Sequence, residues 1–402
     1  MRDRRSRRKP AVIAAAATVV AAAIAVILAI SLSTGGTPPA SAGSHRSAAA
    51  DVGTPTTPPR TGSPTPTPAP TSAKSSARPT ASNGSPGAGW GVNSAVAVRD
   101  LTWHVPPGTQ APSVAFSPDS TLLAVGGDNQ ALGYLYNVET DTQVTTFTKP
   151  GSDIADVGFS PDGKLLASSN EDGHTYFWDV ASMKLLSGVG HSGYGLAFSP
   201  DSTLVATGNG FNAYVQDIAT GDLVLNLHTA SGIFSEAFSP NGKLLAAGGL
   251  TSIDAVFLWD VANGDRVTTL HDPNGEGVDD LAFSPDGTLI AAADDDGSTY
   301  LWDVGTGALV TTLTGVKPPL SVGVQSSYLV GSVAFSPDGT LLAAAEGKHV
   351  YLWNVATHAL AGTFTSYGQT VTSVAFGDGG KLLAAVDTGG YIYVRETSQL
   401  LS

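Results

Sequence analysis

The sequence predicts an all-β fold, because one unit recurs seven times and each copy contains four short candidate strands. The unit is marked by Ala-Phe-Ser-Pro-Asp-Gly or a close variant, with its phenylalanines at positions 116, 159, 198, 238, 283, 335 and 376. Their average spacing of about 43 residues matches one four-stranded blade of a β-propeller. We therefore expect a seven-bladed β-propeller of four-stranded antiparallel blades.

The unit at residues 280–313 shows how each copy divides into strands. Leu281–Phe283 and Leu289–Ala293 are apolar, Ser298–Trp302 alternates polar and large apolar residues, and Leu309–Leu313 supplies a fourth strand. Period-two alternation is typical of a half-buried strand, and the Ser-Pro-Asp-Gly step between the first two strands has the residues of a tight turn. A sheet that is apolar on both faces needs a neighbour on each side, which a closed ring provides.

The ends of the third strands carry a further repeated signature. Phe-Trp-Asp, Leu-Trp-Asp and Leu-Trp-Asn recur in register, so the chain resembles the WD-repeat β-propeller family over about residues 95–400. The resemblance implies structural roles for Trp178, Asp179, Trp259, Asp260, Trp302, Asp303, Trp353, Asp172, Asp296 and His191. The Gly-His pair of the family is retained only at Gly190-His191. We therefore expect its buried His–Ser–Asp–Trp network to be incomplete and packing to hold most blades.

The phase of the repeat predicts how the ring closes. The seventh unit has its third strand at Tyr391–Arg395, and too few residues follow for a regular fourth strand. Residues 100–104 precede the first motif, where a fourth strand stands in the other units. We expect this N-terminal strand to complete the last blade.

The first 89 residues differ in composition from the rest. A basic segment at residues 1–10 precedes an uncharged, alanine-rich stretch at 11–33, which as a helix would span roughly 34 Å, enough for a bilayer core. We expect a signal anchor with a cytoplasmic N-terminus and the remainder outside. The Pro/Thr/Ser/Ala/Gly-rich segment at 34–89 is predicted to be a disordered linker, and the propeller occupies 90–402.

An alternative for the N-terminal segment is a cleaved signal peptide. Ala40-Ser41-Ala42 fits the small-x-small cleavage pattern, although the apolar run is longer than an ordinary signal peptide has. Cleavage near Ala42 would give a secreted protein, whereas an uncleaved anchor would give a single-pass membrane protein. In both cases the propeller would lie outside the cytoplasm, as in similar envelope proteins of high-GC bacteria.

Charge and cysteine content exclude several classes of function. Residues 90–402 carry 10 basic and 32 acidic residues, so the propeller should repel nucleic-acid phosphates. The chain has no cysteine, which rules out disulfides, thiolate metal sites and a cysteine nucleophile. We expect no nucleic-acid partner and no cofactor.

Residues for catalysis do not converge in the sequence. The eight histidines occupy scattered positions in the repeats, and no G-x-S-x-G nucleophile motif or phosphate loop is present. The apolar second strands are predicted to lie nearest the ring axis, and they contain almost no acids or histidines. The sequence thus predicts a protein that is not an enzyme, the alternative being a propeller hydrolase or lactonase with a metal in its central channel.

Two features are candidate partner contacts. The first is an insertion at 315–330 between the fifth and sixth units, with Leu320, Val322, Tyr328 and Leu329 as its apolar residues. The alternative for this insertion is an extra hairpin that folds down and plugs the ring. The second is a set of acidic stretches, assigned to loops on the same face, which include Asp294 and Asp295, the pair Asp279-Asp280, and Glu171-Asp172. A solvated acidic rim and a Ca²⁺ site both remain open for these acids. We expect a monomeric scaffold or sensor module whose loops bind a protein or cell-envelope ligand.

Overall fold

The structure is a computed structural model of the 402-residue chain. It describes residues 100–106, 109–127, 132–148, 152–191, 193–229, 232–249, 254–271, 273, 277–294, 296–315, 330–366 and 369–401. These residues form seven antiparallel sheets of four strands each, which confirms the predicted all-β fold and the number of blades.

The strands follow the repeat. In the first four blades they are, in chain order, β2 (Val114–Phe116), β3 (Leu122–Val125), β4 (Leu132–Asn137) and β5 (Thr142–Thr148); β6 (Ile154–Phe159), β7 (Leu165–Asn170), β8 (His174–Asp179) and β9 (Lys184–Gly190); β10 (Ala197–Phe198), β11 (Leu204–Asn209), β12 (Asn212–Asp217) and β13 (Leu223–His228); β14 (Ile233–Phe238), β15 (Leu244–Gly249), β16 (Asp254–Asp260) and β17 (Arg266–His271).

The remaining blades continue the same order. Their strands are β18 (Val278–Phe283), β19 (Leu289–Asp294), β20 (Thr299–Asp303) and β21 (Leu309–Leu313); β22 (Val330–Phe335), β23 (Leu341–Glu346), β24 (His349–Asn354) and β25 (Leu360–Thr365); and β26 (Val371–Gly377), β27 (Leu382–Asp387) and β28 (Tyr391–Glu396) with β1 (Asp100–His104). A 3₁₀ turn at Asp378–Gly380 follows β26, and a single helical turn, α1 (Thr397–Leu400), follows β28.

The first strand of each blade lies at the centre of the ring. First strands of successive blades contact one another all the way around, and β26 contacts β2 to close the circle. The expectation that the second strands would be innermost is therefore wrong. The difference matters because the first strands carry acidic side chains that the second strands lack.

Ring closure follows the prediction. β1 pairs antiparallel with β28, from Asp100 opposite Arg395 to His104 opposite Tyr391. The Arg395 guanidinium contacts the Asp100 carboxylate at 2.7 Å and donates to the Leu101 carbonyl at 2.6 Å. Trp103 then packs onto blade 1, stacking on Tyr136 with 4.7 Å between ring centroids. The N-terminal strand thus completes blade 7, as expected.

Apolar packing between blades forms the core. Seven hydrophobic clusters occur among the described residues, one at each interface between neighbouring blades, and the smallest lies between blades 2 and 3. At the interface of blades 4 and 5, Trp302 is 1% exposed and packs with Leu258 of the preceding blade. Truncating such a buried tryptophan to alanine costs about 3–5 kcal/mol. The other signature tryptophans, Trp178, Trp259 and Trp353, are also buried.

The Ser-Pro-Asp-Gly turns are held by one repeated set of hydrogen bonds. In blade 5 the Ser284 hydroxyl donates to Asp286 Oδ1 at 2.6 Å and accepts from the Leu289 N–H at 2.9 Å. Burial raises the pKa of the Asp286 carboxyl, but the hydrogen bonds from Ser284 and Thr288 outweigh it, so the net shift is downward. Blades 1 to 4 and 6 repeat this arrangement.

The aspartates that end the third strands also hold turns. Asp303 Oδ1 accepts hydrogen bonds from the Thr306 N–H at 2.8 Å and from its hydroxyl at 2.7 Å. Asp179 and Asp260 accept from the equivalent turns of blades 2 and 4. The structural role that the family resemblance implies for these residues therefore has a local cause, which is the satisfaction of turn N–H groups.

The segment predicted to cross the membrane lies outside the described residues, as do the basic segment and the linker. Within the described ranges, no helix is long and apolar enough to cross a membrane.

Candidate functional site

The two faces of the ring differ in chemistry. The motif face carries the turns between first and second strands and those between third and fourth strands. The variable face carries the remaining connections. Among the described residues, six lysine and arginine side chains lie at or next to the motif face, namely Lys164, Lys184, Lys243, Arg266, Lys381 and Arg395, whereas Lys348 alone lies in a turn of the variable face.

A ring of polar side chains links the first strands around the axis. The inner polar ring consists of the residue three positions before the motif phenylalanine in each blade: Ser113, Asp156, Gly195, Ser235, Asp280, Ser332 and Ser373. Its non-glycine members are all fully buried. In five interfaces the side chain accepts a hydrogen bond from a backbone N–H of the next blade, at 2.9–3.2 Å. These bonds connect neighbouring blades independently of the apolar core.

The inner polar ring is interrupted on both sides of blade 3. Gly195 has no side chain to offer to blade 4, and Asp156 Oδ2 has no hydrogen-bond partner among the described residues. Glu236 of blade 4 occupies the space next to Gly195, because a Cβ at Gly195 or at Gly208 would collide with its carboxylate oxygens. Both of those oxygens are buried without a partner within the described part of the chain. Blade 3 is therefore the weakly linked blade of the ring.

Burial controls the ionisation of these inner acids. It raises the pKa of Glu236 from 4.5 to about 8. It also raises the pKa of Asp280 to about 8, although hydrogen bonds from Val333, Ser332, Leu281 and Ser235 act in the opposite direction. Burial also raises the pKa of Asp156 well above its usual value, although hydrogen bonds from the Ser113 hydroxyl and the Val157 N–H act in the opposite direction. A carboxyl group that is buried without compensation favours its neutral form.

Several acids of the variable face bond tyrosines of their own blade. Asp172 accepts from the Tyr176 hydroxyl at 2.7 Å, and Asp296 accepts from the Tyr300 hydroxyl at 2.9 Å. Asp387 of blade 7 accepts from Tyr393 at 2.8 Å. The recurring aspartate–tyrosine bond ties each of these turns to its third strand, in agreement with the structural role predicted for Asp172 and Asp296.

Three acids that we assigned to surface loops are instead buried in strands. Asp279 and Asp280 belong to β18 at the inner wall, and Asp294 ends β19 with 0% exposure. Asp294 Oδ1 accepts from the Asp296 N–H at 2.9 Å, so it supports its own turn and cannot contact a partner from this position. The assignment of Asp294 as a partner contact is therefore wrong. Asp295 lies outside the described residues.

The insertion leaves the ring on the variable face, between the end of β21 at Leu313 and the start of β22 at Val330. The N–H of Gly315, at its first end, donates to Glu346 Oε2 of blade 6 at 3.1 Å. The predicted contacts Leu320, Val322, Tyr328 and Leu329 lie outside the described residues.

His191 does not occupy the buried position that the family resemblance implies. Its side chain is exposed and its imidazole stacks on Tyr214 with 4.6 Å between ring centroids. Its backbone has a φ of +64°, which is unusual for a residue other than glycine. Across the described residues, no group of three or more histidines and acids is arranged to hold a metal ion.

A closed ring of four-stranded antiparallel blades defines the chain as a seven-bladed β-propeller. A model of the WD40 family, described as WD domain, G-beta repeat, matches residues 97–132, 141–179, 264–303 and 319–354. The chain therefore carries WD40 repeats in four places. No curated protein matches it.

The matched segments are offset from the blades. The match at 141–179 takes in the fourth strand of blade 1 and the first three strands of blade 2, and 97–132 begins with β1, the fourth strand of blade 7. In these two matches the sequence repeat thus begins with the fourth strand of the preceding blade, and β1 fills that place for blade 7. No match covers the first strands of blades 3, 4 and 7, so Gly195 and Glu236 both lie in unmatched units.

Proposed function

We propose that the chain is a non-enzymatic protein-interaction module of the bacterial, membrane-anchored type, displayed outside the cytoplasmic membrane. A WD40 propeller fits a protein-interaction scaffold. The observation that carries the proposal is the contrast between the two faces, because the motif face repeats one set of turn bonds while the variable face differs from blade to blade. Loops held on a rigid scaffold are where binding residues usually lie.

The insertion at 315–330 is the first contact that we propose for a protein or cell-envelope ligand. It is the longest connection between units and leaves from the variable face, next to Glu346. Its apolar residues Leu320, Val322, Tyr328 and Leu329 would supply an apolar anchor to the partner.

Deleting residues 318–328 tests this contact. A photo-crosslinker at Ser326 should trap a defined partner in intact cells. The deletion should abolish recovery of that partner by a crosslinker placed at Lys348, while the melting temperature of the purified chain falls by less than about 2 °C. A large fall in melting temperature would show that the insertion closes the ring as a structural plug. Unchanged recovery would remove it from the interface.

The location outside the membrane rests on residues 1–33 and needs its own experiment. Resistance of the protein to alkaline extraction, together with protease access to the propeller in spheroplasts, is the expected result. N-terminal sequencing of the membrane fraction then separates an anchor from cleavage near Ala42. A propeller protected from protease in intact spheroplasts would contradict the proposal.

The competing hydrolase or lactonase function can be tested on the same preparation. Asp156 and Asp280 lie at the inner wall, where such an enzyme would need acids, but both oxygens of Asp280 accept hydrogen bonds from neighbouring blades. Metal analysis and an esterase and lactonase screen are expected to be negative. A stoichiometric metal or turnover would overturn the assignment as a non-enzymatic module.

A further inference from the structure

Blade 3 departs from the repeat at the point where its first strand begins. β10 comprises only Ala197–Phe198 and is the shortest first strand of the ring. The residues before it leave their own sheet, and the Tyr194 carbonyl accepts a hydrogen bond from Ser169 of blade 2 at 3.2 Å. The departure costs two links of the inner polar ring and buries Glu236 without a partner. A local departure from a repeat that costs stabilising contacts marks a candidate functional position.

The departure places aromatic side chains on the variable face. Tyr194 stacks on Phe234 of blade 4, with 4.7 Å between centroids and 4° between planes. Phe211, in the turn between β11 and β12, is 55% exposed and is the only large aromatic side chain among the strongly exposed apolar residues of the described surface. Phe234 is itself buried and supports Tyr194 from below, whereas His191 is exposed and stacks on Tyr214. His191, Tyr194, Phe211 and Tyr214 lie in or beside the variable-face connections of blade 3, and we call them the blade 3 aromatic patch.

The patch lies beside negative charge. Glu171, in the adjoining turn of blade 2, is exposed and contributes to raising the pKa of the Tyr194 hydroxyl, after the larger effect of burial. Lys348, the one described basic residue in a turn of this face, belongs to blade 6. Aromatic faces next to a carboxylate attract lysine and arginine side chains through cation–π and ionic interactions.

We infer that the blade 3 aromatic patch, formed by His191, Tyr194, Phe211 and Tyr214 beside Glu171, is the docking surface for a basic, arginine- or lysine-bearing segment of the protein partner. The inference rests on the proposed interaction function and deepens it, because it names the blade and the chemistry of the partner. Charge complementarity selects the occupant: the propeller is strongly acidic, and an acidic or purely apolar segment would gain nothing from Glu171.

Fluorescence anisotropy of the purified full chain tests the docking surface with a labelled arginine–glycine repeat peptide as probe. Phe211→Ala and Glu171→Gln should each weaken binding about three- to fivefold. The effect of Glu171→Gln should vanish near 0.5 M NaCl, whereas that of Phe211→Ala should persist, because only the former is screened. A glutamate–glycine peptide should not bind.

Two matched variants separate the patch from general attraction to an acidic protein. Leu186→Ala removes an apolar side chain that is 53% exposed on the outer strand β9, and Asp222→Asn removes one negative charge at the motif face. Both should bind the probe as the wild type does, and all four variants should melt at the wild-type temperature. Equal losses in site and control variants, or no binding by the wild-type chain, would overturn the inference.

The two proposals fail in different ways. If the arginine peptide ignores the patch but the deletion of residues 318–328 abolishes partner crosslinking, the interaction function stands and the blade 3 assignment is wrong. If the peptide binds the patch and no crosslinked partner is found, the assignment stands and the proposed contact through the insertion is wrong.

Discussion

Glu236 allows a quantitative test of how blade 3 is held. Its side chain stands where the other blades have valine or leucine, two positions before the motif phenylalanine, and it is buried against Gly195 and Gly208. Replacing it with glutamine keeps the shape and removes the titration. Replacing it with leucine restores the residue type of the other blades.

The expected magnitude follows from the pKa of Glu236. In the folded state it is about 8 instead of 4.5, so between these values the folded chain retains a proton that the unfolded chain has lost. Stability then falls as pH rises, by up to about 1.4 kcal/mol per pH unit from this group. At pH 7 the accumulated loss is on the order of 3 kcal/mol relative to pH 4.5. Above pH 8 the loss levels off.

Urea denaturation at several pH values between 5 and 8.5 measures this loss. Asp280 titrates in the same window in every variant, so the informative quantity is the difference between wild type and variant at each pH. That difference should grow with pH for Glu236→Gln and Glu236→Leu, and the leucine variant should be the more stable of the two. Glu139→Gln, at an exposed turn position, is the control and should follow the wild type.

Parallel curves for the wild type and Glu236→Gln across this pH range would refute the reasoning, because they would show that Glu236 ionises freely in the folded chain. A double substitution tests the same contact from the side of Gly195. Gly195→Ser combined with Glu236→Val should be more stable than Gly195→Ser alone, because the collision with the glutamate is removed. It should still be less stable than Glu236→Val alone, because the added Cβ would lie 2.9 Å from the Phe234 carbonyl oxygen. Gly195→Ser alone should destabilise, because its Cβ collides with the glutamate.

Three further substitutions test the contacts that hold blades 6, 7 and 1 together. Gly362→Ala should displace the C-terminal tail, because its Cβ would collide with the Leu400 carbonyl; faster carboxypeptidase digestion is the readout, and wild-type rates would contradict it. Trp103→Ala removes the hydrogen bond to Asp141 at 2.8 Å and should cost about 2–3 kcal/mol in urea denaturation; a loss below 0.5 kcal/mol would show that β1 closes the ring by backbone pairing alone. Ser332→Ala removes the acceptor for the first strand of blade 7 and should cost about 1–2 kcal/mol, which an unchanged midpoint would disprove.

The fold could be predicted from the sequence because the residue pattern of each unit predicts the same four strands and the same turns independently of the other units. Because seven copies are in register, a wrong strand assignment in one unit would not change the predicted fold. The phase of the repeat also predicted that residues 100–104 would complete blade 7. The position of each strand relative to the axis was harder, since small side chains in the second strands suggest the same crowding that the first strands experience. The contacts between first strands settle the order.

The candidate site was less accessible to sequence analysis. The sequence predicts loops at Asp279, Asp280 and Asp294 because they lie next to the apolar runs that mark the strands. The strands themselves are longer than those runs, Val278–Phe283 and Leu289–Asp294, and so include the acids. The alignment of the seven motifs does contain a signal for Asp280, since the residue three before the phenylalanine is serine in four blades and aspartate in two. The same alignment shows Gly195 and Glu236 as exceptions. Their joint meaning, one filling the space that the other leaves, depends on adjacency across a blade interface, which spacing alone does not reveal.

Closure by β1 gives the propeller a defined response to mechanical load. Tension applied to the chain before Asp100 would act on β1, the outermost strand of blade 7. The side chain of Arg395 holds the first three residues of this strand. Arg395 contacts the Asp100 carboxylate, the Leu101 carbonyl and the Thr102 hydroxyl within 3.1 Å. These contacts lie where separation of the strand would begin, so a pull on the chain before Asp100 must break them before blade 7 loses its outermost strand.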